Sequence, residues 1–431
     1  MYRKIMSYLE SWKESVHRKP LILQGARQVG KTWSILEFGR THYDNVAYFN
    51  FETNPKLNDT FAENISPDYL IPILSHIAGQ TIVKGKTLIV FDEVQLCERA
   101  LTSLKYFCED APEYHVIVAG SLLGVAVNRA KFSFPVGKVD MKTLYPMDVE
   151  EFMLAMGEGA LVERIKECFR TDTPMPSALH DAAMQLYRQY LVVGGMPECV
   201  MQFVQTRDYI LVRHTQDTIL ASYLNDMSKY NNLNEIKKTR LAYDNITVQL
   251  SKRNTRFQYK LIKKGGRASE FENAIEWLCL SGIVSQVYRV EQIKKPLENY
   301  RDIDAFKIYV SDLGLLCAKK NLVANDVLYM VEELNDFKGG MAENYVHVQL
   351  TINGYSTYYW ESDRGAEVDF VIQREGQLIP IEVKSADNTR AKSLKVYMDT
   401  YKPAYAIKLS TKNFGFEDGK KTVPLYAAFC I

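Results

Sequence analysis

The sequence predicts a multidomain α/β protein that begins with a parallel β-sheet. Residues 88–91 and 116–119 are continuous apolar runs, as expected of strands buried on both faces of such a sheet. Residues 21–32 join an apolar strand, a glycine turn and the start of a helix, which is the repeating unit of these sheets. The chain has 431 residues, so two to four domains are expected.

The composition excludes several classes of protein. The formal net charge is +1, so any nucleic-acid signal has to be local. The seven cysteines include no C-x-x-C pair, which argues against a disulfide framework or a zinc clip. The longest uncharged apolar run, Val116 to Val127, is too short to span a membrane, and no signal peptide follows Met1. We therefore expect a cytoplasmic protein without membrane contact.

The first glycine turn carries the pattern G-x-x-x-x-G-K-[ST]. Its residues are Gly25, Ala26, Arg27, Gln28, Val29, Gly30, Lys31 and Thr32. In such a loop the backbone N–H groups and the helix N-terminus attract phosphate, a lysine pairs with the β- and γ-phosphates, and a hydroxyl binds Mg²⁺. A chance match in a surface turn is the alternative, but strand, loop and helix follow in the required order. We predict a site for ATP and Mg²⁺.

Polar residues end the next two buried strands. Asp92 and Glu93 follow the run at 88–91, at the sheet edge where ligands bind in open α/β folds. We expect Asp92 to hold Mg²⁺, directly or through water, and Glu93 to act as the general base. Ser121 follows the strand at 116–119 and either contacts the γ-phosphate or only caps the next helix.

Residues 20–146 resemble the ATPase module of AAA+ proteins, through Gly25–Thr32, Phe91-Asp92-Glu93 and Gly120-Ser121. The segment Tyr190–Pro197 resembles the Gly-Gly-x-Pro motif of a prokaryotic AAA+ group related to signal-transducing ATPases with numerous domains.

This resemblance implies an ATPase domain at 1–147 and a helical lid at 148–230. It also implies that Pro197 lies near the nucleotide base, although a plain turn between helices is the alternative. No arginine finger is assignable, and Arg129 and Lys138 are the candidates.

A basic segment follows the predicted lid. Residues 236–267 contain ten basic residues and one acid, Asp244. A helix predicted from Ser269 and strands at 283–290 and 306–310 suggest a winged helix at 231–320, as the family also implies. This segment either contacts DNA phosphates or packs within the protein, and the pattern leaves both open.

The last unit, 335–431, contains a predicted β-hairpin with charged residues on one face. A turn centred on Glu375-Gly376 places Asp369 opposite Glu382 and Glu367 opposite Lys384. Opposed carboxylates repel unless a positive charge lies between them. A divalent metal beside Lys384 would supply it, and the alternative is a Glu367–Lys384 salt bridge on a solvated face.

The same hairpin resembles the core of PD-(D/E)xK nucleases, near the Holliday-junction-resolvase branch, with a restriction-endonuclease-like fold. The resemblance implies that Glu343, Asp369 and Glu382 bind the metal, and that Asp369, Glu382 and Lys384 are catalytic. Val368 stands where the motif has proline.

Three functions are consistent with these patterns. The first is an ATPase with a DNA-directed nuclease domain. The second is an ATP-dependent regulatory switch with a non-catalytic C-terminal binding platform. The third, a DNA-binding module with a vestigial ATPase, is disfavoured because Lys31, Thr32, Asp92 and Glu93 are all present.

Overall fold

The computed structural model describes residues 1–120, 134–229, 233–250, 256–385 and 392–431. Ser121, Arg129, Lys252 and Arg253 lie outside these described residues.

The chain forms two compact units. Unit 1 is Met1–Tyr145 with the turn Leu280–Gly282, and unit 2 is Pro146–Cys279 with Ile283–Ile431. The four domain boundaries given above stay predictions.

Unit 1 is built on a five-stranded sheet whose order is β2-β3-β4-β1-β5. The strands are β1 (Leu21–Gln24), β2 (Asn45–Asn50), β3 (Thr87–Asp92), β4 (His115–Ala119) and β5 (Asp140–Thr143). Every neighbouring pair is parallel, which confirms the predicted parallel sheet. β3 and β4 are buried along their whole length, because the sheet is covered on both faces.

Five described helices accompany this sheet. They are α1 (Ile5–Glu14), α2 (Lys31–His42), α3 (Leu57–Glu63), α4 (Pro67–Ala78) and α5 (Glu98–Asp110). In α1 the buried residues Ile5, Leu9 and Trp12 lie on one stripe, as their spacing predicts. A cluster of aromatic side chains from the strands and helices fills the core, including Phe51, Phe61, Phe91 and Phe107.

Unit 2 begins with a series of helices. They are α6 (Val149–Ala155), α7 (Gly159–Thr171), α8 (Ser177–Val193), α9 (Pro197–Thr206), α10 (Tyr209–Lys229), α11 (Leu233–Leu250), α12 (Tyr259–Ile262) and α13 (Ala268–Leu280). The later helices are α14 (Leu313–Lys319), α15 (Ala324–Leu328), α16 (Asn335–Ile352) and α17 (Lys392–Tyr401). Among the described helices of both units, none is long and apolar enough to cross a membrane.

Unit 2 also contains an eight-stranded sheet with the order β12-β13-β11-β10-β9-β8-β6-β7. Its strands are β6 (Val284–Val290), β7 (Arg301–Val310), β8 (Tyr358–Glu361), β9 (Glu367–Arg374), β10 (Gln377–Val383), β11 (Ala406–Ser410), β12 (Gly415–Glu417) and β13 (Lys420–Pro424). The β6–β7 hairpin, which the sequence predicts as the wing of a winged helix, pairs with β8 and so lies in the same sheet as the C-terminal strands. The winged helix at 231–320 stays a prediction.

The register of the β9–β10 hairpin is the predicted one. Gln377 pairs with Arg374 and Ile381 with Phe370, as the predicted turn at Glu375-Gly376 requires. The turn residues Glu375 and Gly376 have φ values of 47° and 75°, as a tight two-residue hairpin turn requires.

The Gly-Gly-x-Pro segment has a structural role within unit 2. The Gly195 N–H donates to Asp312 Oδ2 at 2.6 Å, and a Cβ on Gly195 would lie 1.9 Å from the Met147 carbonyl oxygen. Burial raises the pKa of Asp312 to about 6, although several backbone N–H groups donate to it. Pro197 begins α9, and its contact with a nucleotide stays a prediction.

Candidate nucleotide site and C-terminal carboxylate cluster

The loop from Gly25 to Thr32 connects β1 to α2, as predicted. The Lys31 side chain is only 7% exposed, and its Nζ donates to the carbonyl oxygens of Gly25 at 2.9 Å and Ala26 at 2.8 Å. Gly25 has a φ of 145°, and a Cβ there would lie 2.1 Å from the Leu144 carbonyl oxygen. The ammonium group is therefore held over the loop by backbone oxygens, with a third N–H left to donate.

Burial lowers the pKa of Lys31 to about 8, while the negative charges of Glu93 and Asp92 partly offset this and Arg27 adds to it. A buried ammonium group loses hydration that a bound phosphate would replace. The remaining loop residues, including Gln28 with a φ of 65° and Gly30 with a φ of 91°, form the turn into α2.

Arg3 supports the loop from outside the motif. This arginine is 2% exposed, and its guanidinium donates to the carbonyl oxygens of Val29 at 2.9 Å and Tyr145 at 2.8 Å. The sequence analysis missed Arg3, because a single arginine before a helix carries no pattern.

Asp92 ends β3 at the mouth of this loop. Thr32 Oγ1 donates to Asp92 Oδ2 at 2.8 Å, and the Glu93 N–H donates to Asp92 Oδ1 at 2.9 Å. A hydroxyl and a carboxylate oxygen side by side are the hard oxygen donors that Mg²⁺ prefers. Thr32 and Asp92 therefore fit the predicted magnesium position.

Tyr48 is a second residue that the sequence analysis missed. Its hydroxyl donates to the same Asp92 Oδ2 at 2.7 Å, and burial raises the pKa of Tyr48 to about 12. β2 runs beside β3 with Asn50 opposite Asp92, so Tyr48 lies on the same side, one pleat below. The alternation of residues 45–51 predicted a strand, but not which strand would be its neighbour.

Glu93 has a φ of 51°, a conformation rarely adopted outside glycine. Its carboxylate accepts from Gln95 Nε2 at 2.5 Å. Strained backbone of this kind persists only where the surrounding structure holds it, and it is concentrated at functional sites. Lys138, one of the two finger candidates, pairs with Glu109 at 2.8 Å.

In unit 2, the predicted C-terminal site contains a cation that the sequence analysis missed. Lys307 of β7 is 2% exposed, and its Nζ lies 2.6 Å from Glu367 Oε1 and 3.4 Å from Glu343 Oε2. The Tyr309 hydroxyl also donates to Glu343 Oε2, at 3.1 Å. Lys307 belongs to the hairpin predicted as a wing, so no pattern linked it to these carboxylates.

The other predicted members of this cluster lie on the β9–β10 hairpin. Lys384 Nζ lies 2.5 Å from Glu382 Oε1, and Asp369 Oδ2 accepts from the Val383 N–H at 2.7 Å. Burial raises the pKa of Asp369 well above its usual range, and the charges of Glu343 and Glu382 raise it further. Burial likewise raises the pKa of Glu382, whose buried Oε2 has no hydrogen-bond partner among the residues that the structure describes.

The carboxylates of Glu343, Glu367, Asp369 and Glu382 are thus held by lysine, tyrosine and backbone donors of the same unit. In the residues that the structure describes, no group of three or more His, Cys, Asp and Glu is placed to hold a metal ion. The arrangement as it stands does not fit a preformed three-carboxylate site, and the convergence of Glu343, Asp369 and Glu382 on one ion stays a prediction. The alternative Glu367–Lys384 salt bridge is wrong, since Glu367 pairs with Lys307 and Lys384 pairs with Glu382.

Comparison with known families divides the chain into three matched regions. An AAA domain matches residues 17–153. Two domains of unknown function match parts of the remainder, DUF8612 at residues 184–326 and DUF4143 at residues 338–428. No curated protein is significantly similar to the chain.

Solved structures show partial similarity at low identity. The Walker-type ATPase PABY2304 of Pyrococcus abyssi is 13% identical with a TM-score of 0.45, over 74% of this chain and 95% of that one. The ORC2 protein of Aeropyrum pernix is 12% identical with a TM-score of 0.37, over 76% and 95%. The RuvB branch migration motor of Thermotoga maritima is 15% identical with a TM-score of 0.30, over 65% and 87%. TM-scores this low support no further conclusion.

The AAA match contains the whole phosphate-binding loop together with Asp92 and Glu93. Residues 17–153 match the AAA domain family, and the chain is an ATPase.

The pKa of Lys31 predicts how nucleotide binding depends on pH. Binding requires the charged ammonium, so affinity for MgATP should be constant near pH 7 and fall above pH 8, by at most about tenfold per pH unit. Calorimetric titration between pH 7 and 9.5 measures this. Lys31→Arg stays charged throughout the range and should show a flat profile. A flat profile in the wild type would contradict the role given to Lys31.

Replacing Lys307 should destabilise unit 2. Lys307→Met leaves Glu343 and Glu367 without their buried cation, at a cost of about 2–3 kcal/mol, below the value for a fully buried pair because Glu367 is partly exposed. Urea unfolding of the full chain measures this loss of stability. The control is Lys294→Met, a substitution of an exposed lysine. Equal stability of the two variants would show that Lys307 does not hold the cluster.

Proposed function

We propose that the chain hydrolyses ATP with Mg²⁺ in unit 1 and acts on DNA through its C-terminal region. The hydrogen bond between Thr32 and Asp92 carries the first part, because it brings the two predicted magnesium ligands together at the phosphate-binding loop. Bound Mg²⁺ would neutralise charge on the β- and γ-phosphates.

In this proposal the residues of unit 1 have separate tasks. Lys31 pairs with the phosphates through its remaining N–H, and Thr32 and Asp92 hold the magnesium ion. Glu93 orients the attacking water and accepts its proton, and the hydrogen bond from Gln95 holds its carboxylate in place. The contacts of Ser121 and Pro197 with the nucleotide, and the helical lid at 148–230, are part of the same proposal.

For the C-terminal domain we propose a nuclease-like site of Asp369, Glu382 and Lys384. The buried Glu382 Oε2, which has no partner among the described residues, supports it, since such an oxygen normally has a hydrogen-bond donor or a metal ion. Glu343, Asp369 and Glu382 would have to rearrange around Mg²⁺ or Mn²⁺. The basic segment at 236–267, in a winged-helix-like region, would pack within the protein, since Lys238 and Lys263 already pair with carboxylates of the chain.

A second candidate is an ATP-dependent regulatory switch whose C-terminal domain only binds a partner. The pairing of Lys307 with Glu367 and Glu343, and of Lys384 with Glu382, favours this function. Carboxylates neutralised by internal lysines need no metal ion, and the domain would then be a binding platform without cleavage activity.

One experiment on the full chain tests both parts. ATP hydrolysis and the cleavage of plasmid, single-stranded and branched DNA are measured with Mg²⁺ or Mn²⁺, with and without ATP. Glu93→Gln should bind ATP but hydrolyse it about 10²–10⁴-fold more slowly. Asp369→Ala should retain hydrolysis and lose cleavage.

The controls are Glu98→Gln and Asp363→Ala, exposed carboxylates of the same regions, which should behave as wild type. Unchanged hydrolysis in Glu93→Gln would overturn the ATPase mechanism. Cleavage that survives Asp369→Ala would overturn the nuclease site. If the wild type cuts none of these DNAs, the regulatory switch is favoured.

A further inference from the structure

Four lysines lie on or just after β10, β11 and β13 of the C-terminal sheet. They are Lys384, Lys408, Lys412 and Lys420, which we call the lysine row. Lys408 of β11 pairs in register with Glu382 of β10, so the two side chains lie on the same face. Lys384 is two residues beyond Glu382 and therefore belongs to that face as well.

The row continues across the next strand. In the β11–β13 pair, Lys420 is opposite Ala406 and Thr422 is opposite Lys408, so Lys420 shares the face of Lys408. Lys412 follows the end of β11 and is exposed, while the other three are partly exposed. From β10 across β11 to β13 the row is about 10 Å wide, at about 4.8 Å per strand.

The charges of these four lysines act on one another. The pKa of Lys408 is lowered first by burial and then by the charges of Lys412, Lys384 and Lys420, while Glu382 opposes the shift. Lys384 pairs with Glu382, so part of the charge of the row is already neutralised. Like charges gathered at a folded surface cost stability, and an anion bound at the row would lower that cost.

The basic segment at 236–267 is less available for binding an anion. Lys238 pairs with Glu235 at 3.0 Å and Lys263 with Glu270 at 3.0 Å. Arg256 donates to the Asp304 carbonyl oxygen at 2.9 Å, and Arg240 to Ser228 Oγ at 2.8 Å. Much of this charge is therefore used within the protein.

We propose that the lysine row is a nucleic-acid interface that binds the phosphodiester backbone and leads it to Asp369 and Glu382. A row about 10 Å wide spans more than one phosphate, so a chain of phosphates gains more from it than a single phosphate does. The choice of nucleic acid over another polyanion rests on the nuclease-like site proposed above, which the row borders. Backbone contacts of this type are independent of base sequence.

The test measures binding, separately from cleavage. The full chain is titrated against fluorescein-labelled single-stranded and duplex DNA in EDTA without ATP, over a range of salt concentrations. The variant Lys408→Gln/Lys412→Gln/Lys420→Gln removes three charges but leaves Lys384 in place. Its log–log salt slope should be smaller than that of the wild type by about 2–3.

The matched control, Lys260→Gln/Lys264→Gln/Arg267→Gln, removes three charges from the basic segment and should keep the wild-type slope. Lys412→Glu alone changes one exposed residue, cannot disturb the sheet core, and should also weaken binding. Wild-type affinity in the row variants, or an equal loss in the control, would overturn the interface. Binding of polyglutamate but not DNA through these lysines would overturn the choice of nucleic acid.

Cleavage assays separate this interface from the proposed nuclease site. Row-dependent binding by a chain that never cuts DNA supports the interface and refutes the nuclease. If the chain cleaves DNA and the lysine-row variants bind DNA as tightly as the wild type, the nuclease is supported and the interface is refuted.

Discussion

The nucleotide site depends on the hydrogen bonds made by one carboxylate, that of Asp92. It accepts from Thr32 of α2, from Tyr48 of β2 and from the Glu93 N–H. These bonds join the phosphate-binding helix, the edge strand and the end of β3 at one point. The carboxyl ends of parallel strands lie at the same edge of the sheet. The register that pairs Asn50 with Asp92 therefore also determines where the site forms.

Two carboxylates of unit 2 are held by a buried lysine instead of by hydroxyl and backbone donors alone. Lys307, supplied by β7, is buried against Glu343 and Glu367, and Asn344 of α16 exchanges two hydrogen bonds with the Val310 backbone beside it. The hairpin that carries Lys307 lies outside the DUF4143 match, and the carboxylates lie inside it. The site therefore requires strands from both matched regions in one sheet.

Local patterns were sufficient to predict part of this structure. Gly25, Gly30, Lys31 and Thr32 are close in sequence, so their spacing alone identifies the loop, and the turn at Glu375-Gly376 alone sets the hairpin register. Tyr48, Arg3 and Lys307 were missed because their roles arise from contacts between distant segments. The β6–β7 hairpin has the alternation of a wing, and only its pairing with β8 shows that it extends a larger sheet.

The role of Asp92 can be measured by calorimetric titration of ATP with Mg²⁺ and with EDTA. If Asp92 and Thr32 hold the ion, Mg²⁺ should strengthen ATP binding to the wild type and to Asp110→Asn, an exposed control in the same unit. Asp92→Asn should lose most of this Mg²⁺-dependent gain while still binding ATP in EDTA. An undiminished Mg²⁺ effect in Asp92→Asn would contradict the assignment.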